Sequence, residues 1–185
     1  MDEKKGPWSV KSSEQVWKGE FLSVRDDQVV RPDGLPARYT TVELKPGVAV
    51  LPVFEDGRVE LVDQFRYALG AHSLETVAGG REPEEEPLEA ARRELEEELG
   101  LTAARWTHLG LLQLETSIVK APVALFLARR LQRIQPDRDP TEDVGPVRMS
   151  LAEAVQAVMR GSIVQAASCA LILKADVLLR SEGPR

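Results

Sequence analysis

Two rhythms of apolar and polar residues divide this chain. From Val16 to Val30 the apolar residues Val16, Phe21, Leu22, Val24, Val29 and Val30 alternate loosely with polar ones, the pattern of a half-buried strand. Pro32-Asp33-Gly34 marks a turn, and Arg38–Leu44, rich in Tyr and Thr, reads as a second strand. Val48–Phe54 and Val59–Phe65 are apolar runs joined by Glu55-Asp56-Gly57, which predicts a β-hairpin. Leu74–Val77 predicts a short strand entering Gly79-Gly80.

The period then changes. Leu88, Ala91, Leu95 and Leu99 form the stripe of an amphipathic helix, with Pro87 in its first turn and Gly100 at its end. Strands resume near Trp106–Leu114 and Val123–Ala128, and residues 135–141 read as a loop. Ser150 with Glu153 is a capping box for a helix stopped by Gly161, and a last helix covers about Val164–Arg180. This order predicts an α+β domain with an N-terminal strand appendage, divided as 1–45 and 46–185.

Composition narrows the class. The 185 residues suffice for a real hydrophobic core, and one cysteine, Cys169, excludes a disulfide framework. No apolar run approaches the roughly 20 residues of a membrane helix, and the charged start carries no secretory signal, so a cytoplasmic protein without membrane partners is expected. A net charge of −6 argues against a nucleic-acid surface.

The acid is concentrated between Glu82 and Glu98, where the only bases are Arg92 and Arg93. On a helix, Glu94, Glu97 and Glu98 fall within an arc of roughly 100° beside the apolar stripe, and Glu96 points away. Such a trio is either a solvated face or a cation site, and its oxygen-only donors suit Mg²⁺ or Mn²⁺. The wider spacing is more specific: Gly79-x5-Glu85-x7-Arg93-Glu94-Leu95-x-Glu97-Glu98-x-Gly100-Leu101. From average residue usage, its chance at a given start is below about 10⁻⁸.

This segment resembles the signature of the Nudix hydrolases. The resemblance implies an α/β/α sandwich around a mixed β-sheet and Mg²⁺-dependent hydrolysis of a nucleoside diphosphate linked to another moiety. It maps Glu94, Glu97 and Glu98 onto metal-binding carboxylates, and Glu85 and Arg93 onto a supporting pair. The carbonyl of Ala78 would be a further metal ligand. Val62–Tyr67, Leu74–Gly79 and Gly161–Ser168 are similar to segments of the branch that cleaves ADP-ribose and sugar nucleotides. In that branch Arg66 would contact phosphate, Glu75 would lie near the metals or a ribose hydroxyl, and Gly79 and Gly80 would let backbone approach the phosphates. Trp8 and Trp17 would stack on adenine or pack against the body or a partner, and N-terminal strands would pack or exchange across a homodimer.

One departure stands out. The loop glutamate of many such enzymes falls about at Ala121, so the proton acceptor is one of Glu142, Glu115 and Glu98. The reaction expected is cleavage of ADP-ribose or a related ADP- or GDP-sugar. The alternatives are another nucleotide, such as GDP-mannose or a dinucleotide coenzyme, and a catalytically weak ADP-ribose-binding module.

Overall fold

The computed structural model describes residues 3–135 and 144–183. In chain order the elements are β1 (Glu3–Lys5), β2 (Trp8–Lys18), β3 (Leu22–Val30), β4 (Pro36–Leu44), β5 (Gly47–Pro52), β6 (Arg58–Arg66), β7 (Ala71–Glu75) and β8 (Val77–Gly80). They continue with α1 (Pro87–Leu99), β9 (Leu101–Gln113), β10 (Val119–Lys120), β11 (Pro122–Arg133), β12 (Val144–Ser150), α2 (Leu151–Met159) and α3 (Ala166–Ser181). Contacts group them into two compact units, Met1–Pro46 with Gln113–Pro122, and Gly47–Leu112 with Val123–Arg185.

The first unit is a sheet of order β1-β2-β3-β4-β10, antiparallel except where β10 joins β4 in parallel. The stretch expected as one strand over 16–30 is instead the β2–β3 hairpin. Its turn falls at Gly19–Phe21, closed by the Gly19 N–H donating to the Leu22 carbonyl at 2.9 Å. Loose alternation on both arms conceals that reversal. Within this sheet the buried Asp27 accepts from Lys5 and Ser13, which hold its carboxyl below the usual carboxylate range.

The second unit is an α/β/α sandwich. Its central sheet has the order β8-β5-β11-β9, with β5 parallel to β11 and antiparallel to β8. Alternation along β5 and β11 divides the core. Val48, Val50, Ala124, Phe126 and Ala128 join the cluster of Ala91, Leu95 and Leu99 on α1, while Ala49, Leu51, Leu125 and Leu127 join that of Ala157, Leu171 and Ile172 on α2 and α3. Strands covered on both faces read as continuous apolar runs, as residues 48–53 and 123–128 do.

A second sheet, β12-β6-β7, stands beside the first. The turn at Glu55–Gly57 forms as expected, but the hairpin does not. Only Val53 and Val59 bridge across it, and β5 and β6 diverge into different sheets. The strand expected over 74–77 breaks at Thr76 for the same reason: β7 pairs with β6 and β8 with β5. The helices match expectation closely. Pro87 opens α1, Gly100 closes it in the left-handed conformation at φ 59°, and the Ser150–Glu153 capping box opens α2.

Candidate active site on the acidic face of α1

Helix α1 breaks two local rules. Glu96, Glu97 and Glu98 crowd its last turn, where the helix dipole is negative and a base is favoured, and no basic residue stands there. Two carboxylates of the expected trio are also buried: Glu94 is 9% and Glu98 8% exposed. A solvated charge run would leave them in water. Burial of a carboxylate is costly unless it is neutralised, so this face has a job other than solubility.

Arg93 supplies part of the neutralisation. Its Nε and Nη2 donate to the Glu85 carboxylate at 3.1 and 3.2 Å. Nη1 donates to Glu94 at 2.7 Å and to Glu97 at 3.0 Å, and Nη2 donates to the Gly80 carbonyl at 2.9 Å. The hydrogen bond to Glu85, and then the charge of Glu94, hold the guanidinium above its ordinary pKa. Glu85 also accepts from the Glu82 N–H at 2.9 Å, so the loop before α1 is tied to the helix through one cation.

Strand β8 meets this face. A Cβ built on Gly79 would overlap the carboxyl carbon and both oxygens of Glu94, so glycine is what lets that carboxylate lie against the strand. Ala78 and Gly80 flank it, paired with Ala49 and Gly47 of β5. Arg66 and Glu75, expected as separate substrate contacts, pair with each other across β6 and β7. Arg66 Nε and Nη2 donate to Glu75 at 3.1 and 2.6 Å. Glu75 is 2% exposed, so its charge is compensated by Arg66 rather than by water. The clamp fixes the plane of the guanidinium.

The chemistry of the donor set fits a divalent cation, since Glu94, Glu97, Glu98 and the Ala78 carbonyl offer only oxygen. The side chains as they lie do not form a cage. Glu94 and Glu97 turn toward Arg93, and among the described residues no three Asp, Glu, His or Cys side chains converge on an ion-sized point. The fit is therefore one of donor type and placement on a buried helix face. A cavity of about 320 Å³ borders this face, lined by Arg92, Arg93, Glu96, Glu97, Ile134 and Gln135. A larger one, about 480 Å³, lies within the N-terminal unit and holds none of the signature residues.

The acids expected to take a proton fare differently. Glu142 lies outside the described residues. Glu115 belongs to the N-terminal unit and closes its own loop, accepting from the Ser117 N–H at 2.8 Å and the Ile118 N–H at 3.0 Å. Those two bonds, Ile118 first, lower its carboxyl to about 2, which makes it a poor proton acceptor. Trp8 packs edge-on against Tyr39, with ring centroids 5.4 Å apart, and Trp17 is half exposed on β2. Thr76 and Ser168 fall inside two of the branch-like segments without a role expected of either; they are fully buried and bonded to each other. Each otherwise shows in the sequence only as a polar residue among apolar neighbours.

This fold and this acidic helix define a Nudix-type hydrolase. The NUDIX domain family matches residues 43–166, and the chain belongs to it. The nucleoside diphosphate sugar hydrolase N-terminal domain matches residues 8–42. The chain is 32% identical over 149 residues to an ADP-ribose pyrophosphatase of Bacillus subtilis, covering 80% of each protein. It is 32% identical over 165 residues to an ADP-ribose pyrophosphatase of Mycobacterium tuberculosis, covering 88% of this chain and 80% of that one. Its fold is similar to the crystal structure of an ADP compounds hydrolase, with a TM-score of 0.84, 22% identity and 98% of each chain covered.

Two outcomes follow from this geometry. Gly79→Ala should fold with a thermal midpoint close to wild type, because a flexible carboxylate can move aside. It should nevertheless lose roughly 10²-fold in turnover as Glu94 is displaced; steady-state kinetics beside a melting curve separate the two effects. Glu115 should titrate near 2 by carbon-detected NMR. Its folded pKa is depressed, so what it contributes to loop stability is present above the ordinary value of 4.5 and is lost as pH falls toward 2.

Proposed function

We propose that this protein is a Mg²⁺-dependent pyrophosphatase of ADP-ribose or a closely related nucleoside diphosphate sugar, releasing a nucleoside monophosphate and a sugar phosphate. The observation that carries the reading is the burial of Glu94 and Glu98 on α1, with Glu94 seated against Gly79. The names of the relatives at 32% identity support the substrate class. In this reading Glu94, Glu97, Glu98 and the Ala78 carbonyl hold Mg²⁺, with Mn²⁺ as a substitute. When bound, the ion offsets phosphate charge and activates water.

The chain's own residues do the rest. Arg66, held flat by Glu75, presents a guanidinium to a phosphate. Gly79 and Gly80 keep β8 free of side chains where the diphosphate passes. Arg93 holds Glu85, the Gly80 carbonyl and the helix carboxylates in one frame. Glu98 and Glu142 are the acids left to accept the proton from water, since Glu115 is spent on its loop.

The N-terminal unit serves as a dimerisation element in this reading. It exposes Val16, Trp17 and Phe21, and it matches the sugar hydrolase N-terminal domain. Sedimentation at micromolar concentration should give a homodimer; a 20.4 kDa particle would argue against it. Among the described residues no helix is long and apolar enough to cross a membrane.

The test of substrate is phosphomonoester release from a panel of ADP-ribose, ADP- and GDP-sugars and dinucleotide coenzymes, with Mg²⁺ and with EDTA. ADP-ribose should be cleaved to AMP and ribose 5-phosphate, and EDTA should abolish release. Glu97→Gln and Glu98→Gln should each lower turnover by at least about 10²-fold with the fold kept, while Glu96→Gln, outside the Arg93 frame, should stay within about threefold. Turnover near wild type in both ligand variants would overturn the metal-site assignment.

A further inference from the structure

The two halves of the site sit on two different sheets, and one residue joins them. Glu75, which clamps Arg66, ends β7 in register with Val62 of β6. Val77, which leads to Ala78 and Gly79, begins β8 in register with Val50 of β5. Thr76 belongs to neither ladder. Its N–H therefore finds no strand partner, and Thr76 is fully buried, so bulk water cannot supply one.

Ser168 on α3 supplies it. The Ser168 hydroxyl accepts from the Thr76 N–H at 2.9 Å and lies 3.1 Å from the Thr76 hydroxyl. Ser168 is itself fully buried, and its own N–H donates to the Gln165 side chain at 2.6 Å, which caps α3. Ala167, Leu171 and Ile172, around it on the same helix, are in the core. The crossing point is thus pinned to a helix that carries none of the proposed catalytic or binding residues.

We infer that Ser168 is a positioning residue for the site, acting through Thr76 to fix the angle at which the Arg66–Glu75 clamp faces Gly79 and Glu94. The inference rests on the pyrophosphatase reading for its kinetic consequence, but its structural part stands on the crossing alone. A shift of about 1 Å between a phosphate clamp and a carboxylate cluster can cost roughly 10²-fold in rate. Loss of the hydroxyl leaves a buried N–H unsatisfied, and the strand relaxes to satisfy it.

The experiment compares wild type with Ser168→Ala, Ser168→Thr and Ile172→Val. Each sample gives a ¹⁵N–¹H spectrum, a melting curve and the Mg²⁺-supported turnover of ADP-ribose. Ser168→Ala should shift the Gly79 and Gly80 amide signals and the Arg66 Nε signal. Its kcat should fall at least about tenfold with KM within threefold. Ser168→Thr, which keeps the hydroxyl, should restore both. Ile172→Val, a destabilising core change one turn along the same helix that keeps the Ser168 hydroxyl, should keep both. Wild-type signals at Gly79 and Arg66 in Ser168→Ala would overturn the inference, as would the same kinetic loss in Ile172→Val. If wild type cleaves nothing on the panel, the pyrophosphatase reading fails while the spectra still decide the positioning role. If Ser168→Ala does not fold, Ser168→Cys keeps the volume with a weaker acceptor and yields the same comparison.

Discussion

The acidic face of α1 has to be held together against its own charge, and Arg93 is the cation that ties most of it to its surroundings. Helix α1 carries carboxylates at its negative end, against the dipole, and buries Glu94 and Glu98, against the cost of desolvation. One guanidinium bridges Glu85, Glu94, Glu97 and the Gly80 carbonyl. The loop before α1, the helix and the end of β8 are therefore positioned by the same cation. The apolar stripe of Leu95 and Leu99 anchors the helix from the other side, packed with Val48 and Val50 of β5. Stability is given up locally to create a site with fixed negative charge, which is where breaches of local rules are expected.

Much of this was legible in the sequence because it is local. Helix α1 is written in its stripe, in Pro87 and in Gly100; α2 is written in its capping box. The apolar runs over 48–54 and 123–128 read as strands, and β5 and β11 form there. The resemblance implies Glu85 and Arg93 as a supporting pair, and in the structure Arg93 donates to Glu85 and also to Glu94.

What the sequence hid is what depends on register between distant segments. The Glu55–Gly57 turn looks like any hairpin turn, yet its arms part into two sheets, because β5 is claimed by β8 and β11, and β6 by β7 and β12. The same divergence breaks the strand at Thr76 and makes a buried serine 92 positions away its partner. Val119 and Lys120 join β4 only because the chain returns to the N-terminal unit, which no short-range pattern announces. The pairing of Arg66 with Glu75 likewise needs β6 and β7 side by side; separately, each reads as a strand-end charge.

In the proposed reading the acidic face of α1, with the end of β8, takes up a divalent cation once Arg93 shares its carboxylates. Titration with Mn²⁺ followed by ¹⁵N–¹H NMR tests it without reference to turnover. The account predicts paramagnetic broadening centred on Ala78, Gly79, Glu94, Glu97 and Glu98, displaced by excess Mg²⁺. Broadening centred on the loop acids Glu82, Glu84 and Glu86 with Gly79 and Glu98 unaffected, or none at millimolar ion, would contradict it.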